Sequence, residues 1–213
     1  MAYKLVIFDF DGTIADTSEG ILDSHKHVLK VMNHVIPEDE GLKKLIGGNL
    51  MDIYTEKFGF KSSEAREAVR IYRNRYATVG LHKAVLYHGV TELLKHLKEK
   101  NITIAVATLK AEKFAVAMLD EMHAREYFDY IFGMDDMDSL TKVELVQKCM
   151  KLSHCPKEQT VLVGDSENDE IGAKNAGVDF IGVTYGFGFN CAEGYHFKMG
   201  KSIDDLERLL LQE

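Results

Sequence analysis

The stretch that decides the fold lies near the start of the chain and reads Leu5-Val6-Ile7-Phe8-Asp9-Phe10-Asp11-Gly12-Thr13. A short apolar run leads directly into two carboxylates and a glycine. A run without polar alternation is typical of a strand that is buried on both faces, as in a parallel sheet. The acidic turn that follows predicts a polar site at the carboxyl end of this strand.

Similar apolar runs recur along the chain, and helical periodicity fills the gaps between them. The first run spans residues 4–8, and the later ones span residues 102–107, 129–132, 160–163 and 179–183. This alternation of strands and helices predicts an α/β fold with a doubly wound, parallel, Rossmann-like sheet and right-handed crossovers.

Residues 17–84 interrupt this alternation. They show helical periodicity and no convincing strand. An ordinary crossover between two strands needs far fewer residues. We therefore expect an inserted α-helical cap domain at residues 17–84, and a core domain formed by residues 1–16 and 85–213.

Composition and charge exclude several classes of protein. The 213 residues are 46% hydrophobic and 28% charged, as in an ordinary globular protein that needs no disulfide or metal to fold. The net charge of −8 opposes nonspecific nucleic-acid binding. No apolar run approaches the roughly 18–20 residues of a membrane span, and none near the start is long enough for a signal peptide. The 3 cysteines lack Cys-x-x-Cys spacing, which favours a reduced, cytoplasmic protein.

A second acidic segment follows the apolar run at residues 160–163 and reads Gly164-Asp165-Ser166-Glu167-Asn168-Asp169. Because the carboxyl ends of parallel strands meet at one edge of a sheet, we expect Asp165 to lie near Asp9. Converging carboxylates repel one another by roughly several kcal/mol unless a cation is bound. Hard divalent cations prefer oxygen ligands, and Mg²⁺ is the usual one beside a phosphate.

Candidate phosphate-binding residues follow the run at residues 102–107. Thr108 comes directly after it, Lys110 two residues later, and Lys142 opens a predicted helix. A hydroxyl and an ammonium at the edge of a sheet are suitable phosphate binders. Taken singly, each of these residues, like an isolated Asp-x-Asp, is more often a turn residue, a helix cap or a solvated side chain.

Together these segments resemble the motif set of the haloacid dehalogenase superfamily. In order along the chain, the matching segments are Asp9-x-Asp11-Gly12-Thr13, Thr108, Lys142 and Gly164-Asp165-x-x-x-Asp169. The resemblance covers essentially the whole chain. The segments that flank the insertion, residues 16–21 and 87–94, are similar to phosphoglycolate phosphatase-like and 5′-nucleotidase-like members with a small helical cap.

The resemblance implies a Mg²⁺-dependent phosphatase that hydrolyses a small phosphate monoester through an aspartyl-phosphate. Asp9 would attack phosphorus, and Asp11 would protonate the leaving oxygen and then deprotonate water. Asp9, the backbone carbonyl of Asp11 and Asp165 would hold Mg²⁺. Thr108 and the Gly12 turn would contribute to the phosphate site. The substrate would be a phosphorylated metabolite of phosphoglycolate or nucleotide type.

Two further residues receive roles from the same resemblance. Lys142 would bind the phosphate, and Asp169 would orient this lysine or a metal-bound water. The chain departs from the family at Leu109, where many relatives carry Asn or Ser after the threonine, and in the absence of the Pro that often follows the lysine. Lys110 therefore competes with Lys142 for the same role.

Alternatives from other classes stay open. A phosphosugar mutase with the same core would return the phosphoryl group to a sugar. A catalytically weak protein that binds a phosphorylated metabolite fits the departure at Leu109. A dehalogenase needs one carboxylate nucleophile and no metal, and it would leave Asp11 and Asp165 without a purpose. No residue pattern identifies the monoester or the oligomeric state.

Overall fold

The structure is a computed structural model and describes residues 2–135, 139–190 and 194–212. The chain forms two compact units. The first, here called the sheet unit, comprises Met1–Asp16 and Val85–Glu213. The second, here called the helical unit, comprises Thr17–Ala84.

The strands all belong to the sheet unit. They are β1 Leu5–Phe8, β2 Ala15–Asp16, β3 Val85–Leu86, β4 Thr103–Ala111, β5 Tyr130–Met134, β6 Thr160–Gly164, β7 Asp179–Val183 and β8 Lys198–Gly200. Six of them form a parallel sheet in the order β5-β4-β1-β6-β7-β8, and β2 pairs with β3 antiparallel. With helices between its strands, this sheet confirms the predicted Rossmann-like α/β fold.

Helices connect the strands and build the helical unit. They are α1 Ser18–Val31, α2 Asp39–Lys43, α3 Leu50–Asp52, α4 Ser62–Thr78, α5 Val90–Glu99, α6 Glu112–Glu121, α7 Lys142–Ser153, α8 Glu167–Ala176 and α9 Ile203–Leu211. A π-helical turn, Ile53–Lys57, follows α3. In the described part of the chain, no helix has the length and apolar character needed to cross a bilayer.

The core of the sheet unit explains why β1 reads as a continuous apolar run. All four of its residues are buried. On one face, Leu5 and Ile7 share a cluster of buried side chains with Leu145 of α7 and Ala173 of α8. Apolar burial contributes roughly 25 cal/mol per Å², so a central strand covered on both faces gains from apolar residues at every position.

The helical unit is built on a contact between α1 and α4. The buried side of α4 is a stripe at helical spacing, formed by Ala65, Ala68, Val69, Tyr72 and Tyr76. The Arg75 guanidinium of α4 donates two hydrogen bonds to the Asp23 carboxylate of α1, at 2.7 and 3.2 Å. The fork geometry fixes the register of the two helices.

The sheet differs from the sequence expectation in three places. The strand expected at residues 102–107 is β4, and it continues to Ala111. Its pairing with β5 is interrupted by a bulge after Ala107 and resumes at Ala111. The pair β2–β3 and the edge strand β8 were not predicted, since two or three residues are too few to display a periodicity.

The topology places a crevice at the carboxyl ends of the inner strands. From β1 the chain crosses to β4 and β5 on one side, and it later returns to β6 on the other side. The order of strands therefore reverses at β1. In open α/β sheets, ligands bind outside the carboxyl ends of the strands at this reversal point.

Candidate active site

The first acidic segment leaves β1 as a tight turn. The Asp9 N–H donates to the Val163 carbonyl at 2.9 Å, which continues the β1–β6 pairing by one residue. The chain then turns through Gly12, whose φ of +79° lies in the left-handed region. A Cβ at Gly12 would meet the Asp165 carboxylate. Glycine is therefore required both by the backbone and by the close approach of the second acidic segment.

Three buried carboxylates form the centre of the site. One oxygen from each of Asp9, Asp165 and Asp169 lies within 4.8 Å of the others. Burial, with the charges of Asp9 and Asp169, raises the pKa of Asp165 to about 8. Burial also raises the pKa of Asp9 to about 6, although Lys142 opposes the shift. The carboxylate of Asp11 lies outside this cluster.

Lys142 ties two of these carboxylates to β4. Its ammonium donates to Asp9 Oδ1 at 2.6 Å and to the Ala107 carbonyl at 2.8 Å, and it lies 2.6 Å from Asp169 Oδ1. Burial disfavours the ammonium, but Asp169 and Asp9 together raise the pKa of Lys142 above its usual range. The lysine stem runs over Gly172 of α8, where a Cβ would meet it.

Capping motifs fix where α7 and α8 begin. At α7, Thr141 Oγ1 accepts from the Glu144 N–H, and Glu144 Oε2 accepts from the Thr141 N–H. At α8, Asp169 Oδ2 accepts from the N–H and the hydroxyl of Ser166 at 3.1 and 2.6 Å. Ser166 is thus the N-cap of α8, and Asp165, the residue before it, does not cap the helix. Both oxygens of Asp169 are engaged.

The loop at residues 185–189 closes on Asp165. The backbone N–H groups of Phe187 and Gly188 donate to Asp165 Oδ2 at 2.6 and 3.3 Å, and the Phe189 N–H donates to the Asp165 carbonyl at 2.9 Å. Backbone donors carry no side-chain signature, and the available signal was the glycine at 186, where a Cβ would meet the Gly12 carbonyl.

The two candidate lysines meet different carboxylates. The Lys110 ammonium lies 3.0 Å from Asp11 Oδ1, in an ion pair whose side chains are 5% and 9% exposed. That oxygen accepts no well-directed hydrogen bond within the described residues. Lys142 instead pairs with Asp9. Thr108 is buried, and its Oγ1 accepts from the Lys110 N–H at 3.2 Å.

The side chains around the first motif are largely apolar or aromatic. Leu109 packs against the buried cluster under the sheet and offers no polar contact. Tyr185 donates from its hydroxyl to the Thr13 carbonyl at 3.0 Å, and its ring meets that of Tyr87 at 5.0 Å between centroids. The Thr13 hydroxyl is buried and has no hydrogen-bond partner among residues 2–135, 139–190 and 194–212.

The donor set fits one hard divalent cation. When ionised, the carboxylates of Asp9, Asp11, Asp165 and Asp169 exceed the two lysine ammonium groups by two negative charges. Asp9 Oδ2 and Asp165 Oδ1 accept no hydrogen bond from any described residue. Oxygen donors in a buried site of this charge suit Mg²⁺.

Comparisons with known proteins agree with this geometry. A family model described as "Haloacid dehalogenase-like hydrolase" matches residues 6–183, a range that contains every candidate site residue. A 5′-nucleotidase from Pseudomonas aeruginosa is 33% identical over 189 residues, which cover 88% of this chain and 86% of the relative.

Two further proteins extend the comparison. The tyrosine-protein kinase PtkA from Mycobacterium tuberculosis is 32% identical over 186 residues, which are 87% of this chain and 63% of the kinase. The crystal structure of a predicted phosphatase from Clostridium acetobutylicum matches with a TM-score of 0.92 at 31% identity and covers 100% of both chains. The similarity therefore extends over both units.

Proposed function

The chain belongs to the haloacid dehalogenase-like hydrolases, and from that premise we propose that it is a Mg²⁺-dependent phosphatase acting through an aspartyl-phosphate. Its substrate is a small phosphate monoester of phosphoglycolate or nucleotide type. The observation that carries the proposal is the state of Asp9. This residue directly follows β1, its Oδ1 accepts a hydrogen bond from Lys142, and its Oδ2 accepts no hydrogen bond from a described residue.

Asp9 is the nucleophile in this proposal. The Lys142 ammonium donates to Asp9 Oδ1 at 2.6 Å and so fixes the orientation of this carboxylate. Attack of the Asp9 carboxylate on phosphorus forms the acyl phosphate and breaks the bond to the leaving oxygen, which splits one difficult hydrolysis into two steps. The ammonium of Lys142 then offsets the negative charge that develops on the phosphoryl oxygens.

Asp11 carries the proton in both steps. As the carboxylic acid it gives its proton to the leaving oxygen, and as the carboxylate it takes a proton from the water that attacks the acyl phosphate. It follows the nucleophile by two residues, and its carboxylate is separate from the cluster around Asp9. This separation supports a role in proton transfer instead of metal binding through its side chain.

The remaining residues bind and orient. Thr108, the Gly12 turn and Lys142 provide hydrogen-bond donors to the phosphate. Asp9, the backbone carbonyl of Asp11 and Asp165 would hold Mg²⁺, which supplies positive charge to the carboxylates and the phosphoryl group when bound. Asp169 is a positioning residue for the lysine, because both of its oxygens are already engaged.

The two units receive separate tasks in this proposal. Residues 1–16 and 85–213 carry the catalytic chemistry, and residues 17–84 act as the cap that selects the leaving group. Cys149 and Cys155 are free thiols, in keeping with action in the cytoplasm on a soluble metabolite.

The proposal is tested by phosphate release from an aryl phosphate. We expect turnover with Mg²⁺, its loss with EDTA, and its return when Mg²⁺ is added back. Asp9→Asn should fall to background, whereas the matched change at the exposed Asp120 of α6, Asp120→Asn, should leave turnover unchanged. Turnover that persists in EDTA, or in Asp9→Asn, contradicts the proposal.

A substrate panel separates the phosphatase from its alternatives. Phosphoglycolate, nucleoside monophosphates and sugar phosphates are compared by kcat/KM, with the product identified in each case. Free phosphate supports the phosphatase, and an isomerised sugar phosphate supports a mutase. Tight binding of a phosphorylated metabolite without any product supports the binding protein.

A further inference from the structure

Strand β4 contains a bulge at the edge of the site. Ala107 lies opposite Phe132 of β5, and Ala111 lies opposite Met134. Three residues of β4, 108–110, therefore lie opposite the single residue Gly133 of β5. They form an arch that contains two more residues than regular strand pairing would have. Bulges beside active sites re-aim a side chain or end the pairing of a strand.

The arch is braced from both sides. Within it, Thr108 Oγ1 accepts from the Lys110 N–H at 3.2 Å. Opposite it, Gly133 of β5 faces the Lys110 carbonyl and the Glu112 backbone so closely that a Cβ would collide with them. The Gly133 N–H also donates to Glu112 Oε2 at 3.3 Å. These contacts give the arch one defined conformation.

The arch delivers a buried ammonium to the second carboxylate of the first motif. Lys110 Nζ lies 3.0 Å from Asp11 Oδ1 and 5.9 Å from the centroid of the Phe10 ring. The side chain of Lys110 is 5% exposed, so the charge is held in place and shielded from water. Lys142, the other ammonium of the site, is occupied by Asp9 and Asp169.

We propose that Lys110 is a positioning residue for Asp11 and not a ligand of the phosphate. This inference rests on the proposed function, in which Asp11 transfers the proton. An ammonium that holds one carboxylate oxygen fixes the side-chain rotamer and leaves the other oxygen for the leaving group and the water. Proton transfer requires heavy atoms about 2.6–3.2 Å apart, and a displacement of about 1 Å can cost roughly 100-fold in rate.

Lys110→Met tests the proposal, because it keeps an unbranched stem and removes the charge. We expect kcat for an alkyl phosphate to fall about 10- to 100-fold, since protonation of a poor leaving group depends on Asp11. For an aryl phosphate, whose first step needs little protonation, we expect a loss several times smaller. The inhibition constant of inorganic phosphate should stay within about twofold, since a positioning residue contributes no uniform binding.

Matched variants give the test its contrasts. Lys110→Arg restores the cation and should recover part of the alkyl phosphate rate. Lys142→Met should lose both substrates and weaken inhibition by phosphate. Lys151→Met, on the exposed face of α7, should behave as wild type. Gly133→Ala displaces the arch while keeping the lysine, and should repeat the pattern of Lys110→Met.

Three outcomes overturn the proposal. The first is an equal loss for alkyl and aryl substrates with weakened phosphate inhibition, which makes Lys110 a phosphate ligand. The second is an unchanged alkyl phosphate rate in both Lys110→Met and Gly133→Ala. The third is a wild-type protein that turns over neither substrate, in which case the proposed function fails first. If Lys110→Met does not fold, Lys110→Arg and Gly133→Ala decide.

Discussion

At the scale of single residues, Asp9 and Asp11 are separated by one residue but meet different lysines. Lys142 binds Asp9 from the start of α7, and Lys110 binds Asp11 from the arch of β4. The sequence left these lysines as competitors for one role, because spacing along the chain does not determine which carboxylate an ammonium reaches. The structure gives each lysine its own carboxylate.

Asp11→Asn separates the two proton transfers from the rest of the chemistry. We expect the variant to retain Mg²⁺ and phosphate-analogue binding, because Asp11 contributes to the metal through its backbone in our proposal. The kcat for an alkyl phosphate should fall about 10²- to 10⁴-fold, and that for an aryl phosphate should fall less. Steady-state kinetics on both substrates checks this. Equal losses would argue against Asp11 as the acid.

We expect His25 to make the helical unit sensitive to acid. It is buried, with Nδ1 3.0 Å from the Tyr54 hydroxyl, and burial lowers the pKa of His25 to about 4. The unfolded chain binds this proton near pH 6.5. The stability contribution is therefore complete above about pH 6.5 and is lost as the pH falls toward 4, by up to about 3 kcal/mol.

Hydrogen exchange in α1 measures this loss. We expect protection of α1 to decrease between pH 7 and pH 4.5, after correction for the intrinsic exchange rate. His25→Phe should flatten the dependence, although it leaves the Tyr54 hydroxyl unpaired and lowers protection by a constant amount. A slope that persists in His25→Phe would assign the acid sensitivity to another group.

At the scale of secondary-structure elements, the sequence predicts those strands and helices that show a run or periodicity of apolar residues or a capping motif. The apolar runs locate β1, β6 and β7 to within a residue. The sequence predicts a helix that begins at Lys142, and α7 does begin at Lys142, with Thr141 and Glu144 forming a capping box. The arch in β4 and the short strands β2, β3 and β8 had no such signal. A bulge depends on the strand beside it, which local sequence does not encode.

Gly172 tests how α8 positions Lys142. In an exposed helix, Gly→Ala stabilises by about 0.5–1 kcal/mol. At Gly172, however, the new Cβ would collide with the lysine stem. We expect Gly172→Ala to destabilise the fold by about 1–3 kcal/mol and to reduce turnover at least tenfold.

Gly41→Ala in α2 is the matched control. Its Cβ would meet only the Pro37 side chain, at an ordinary 3.5 Å, so the helix preference should prevail and turnover should be unchanged. Urea unfolding and phosphate release are measured on both variants. A Gly172→Ala protein as stable and active as Gly41→Ala would mean that the stem moves aside without cost.

At the scale of the whole molecule, metal binding and folding are coupled through charge. The metal-free fold confines Asp165, whose pKa is raised to about 8, among other carboxylates. The folded state therefore holds a proton that the unfolded chain releases near pH 4. The stability that this proton contributes to the folded state is lost as the pH rises through 8. Burial is the main cause of this shift and repulsion from Asp9 and Asp169 adds to it; a bound dication would offset both by stabilising the carboxylate form.

We expect the metal-free protein to unfold cooperatively, because its apolar core is continuous across the sheet. Its melting temperature should fall from pH 5.5 to pH 8, and the increase caused by Mg²⁺ should be larger at pH 8. Asp165→Asn should remove most of the increase, and Asp120→Asn should retain it. A Mg²⁺ effect that is the same at both pH values would place the ion elsewhere.

Much of the site could be predicted because its acidic residues follow strand ends. Asp9 and Asp165 occupy the same place after neighbouring parallel strands, so topology alone brings them together. The amides of Phe187 and Gly188 could not be predicted, since every residue but proline has a backbone N–H. The role expected for Asp169 stays a prediction, and its engaged oxygens favour orientation of Lys142.

The central claim is that Asp9 becomes phosphorylated, and reductive trapping tests it most directly. Wild-type protein is mixed with an aryl phosphate and Mg²⁺, quenched, and treated with borohydride, which reduces an acyl phosphate to an alcohol. Peptide mass spectrometry then locates the reduced residue. We predict reduction at Asp9 in the presence of substrate, and none in Asp9→Asn or with EDTA. Reduction at Asp11 or Asp165, or no trapped peptide during active turnover, would contradict the account.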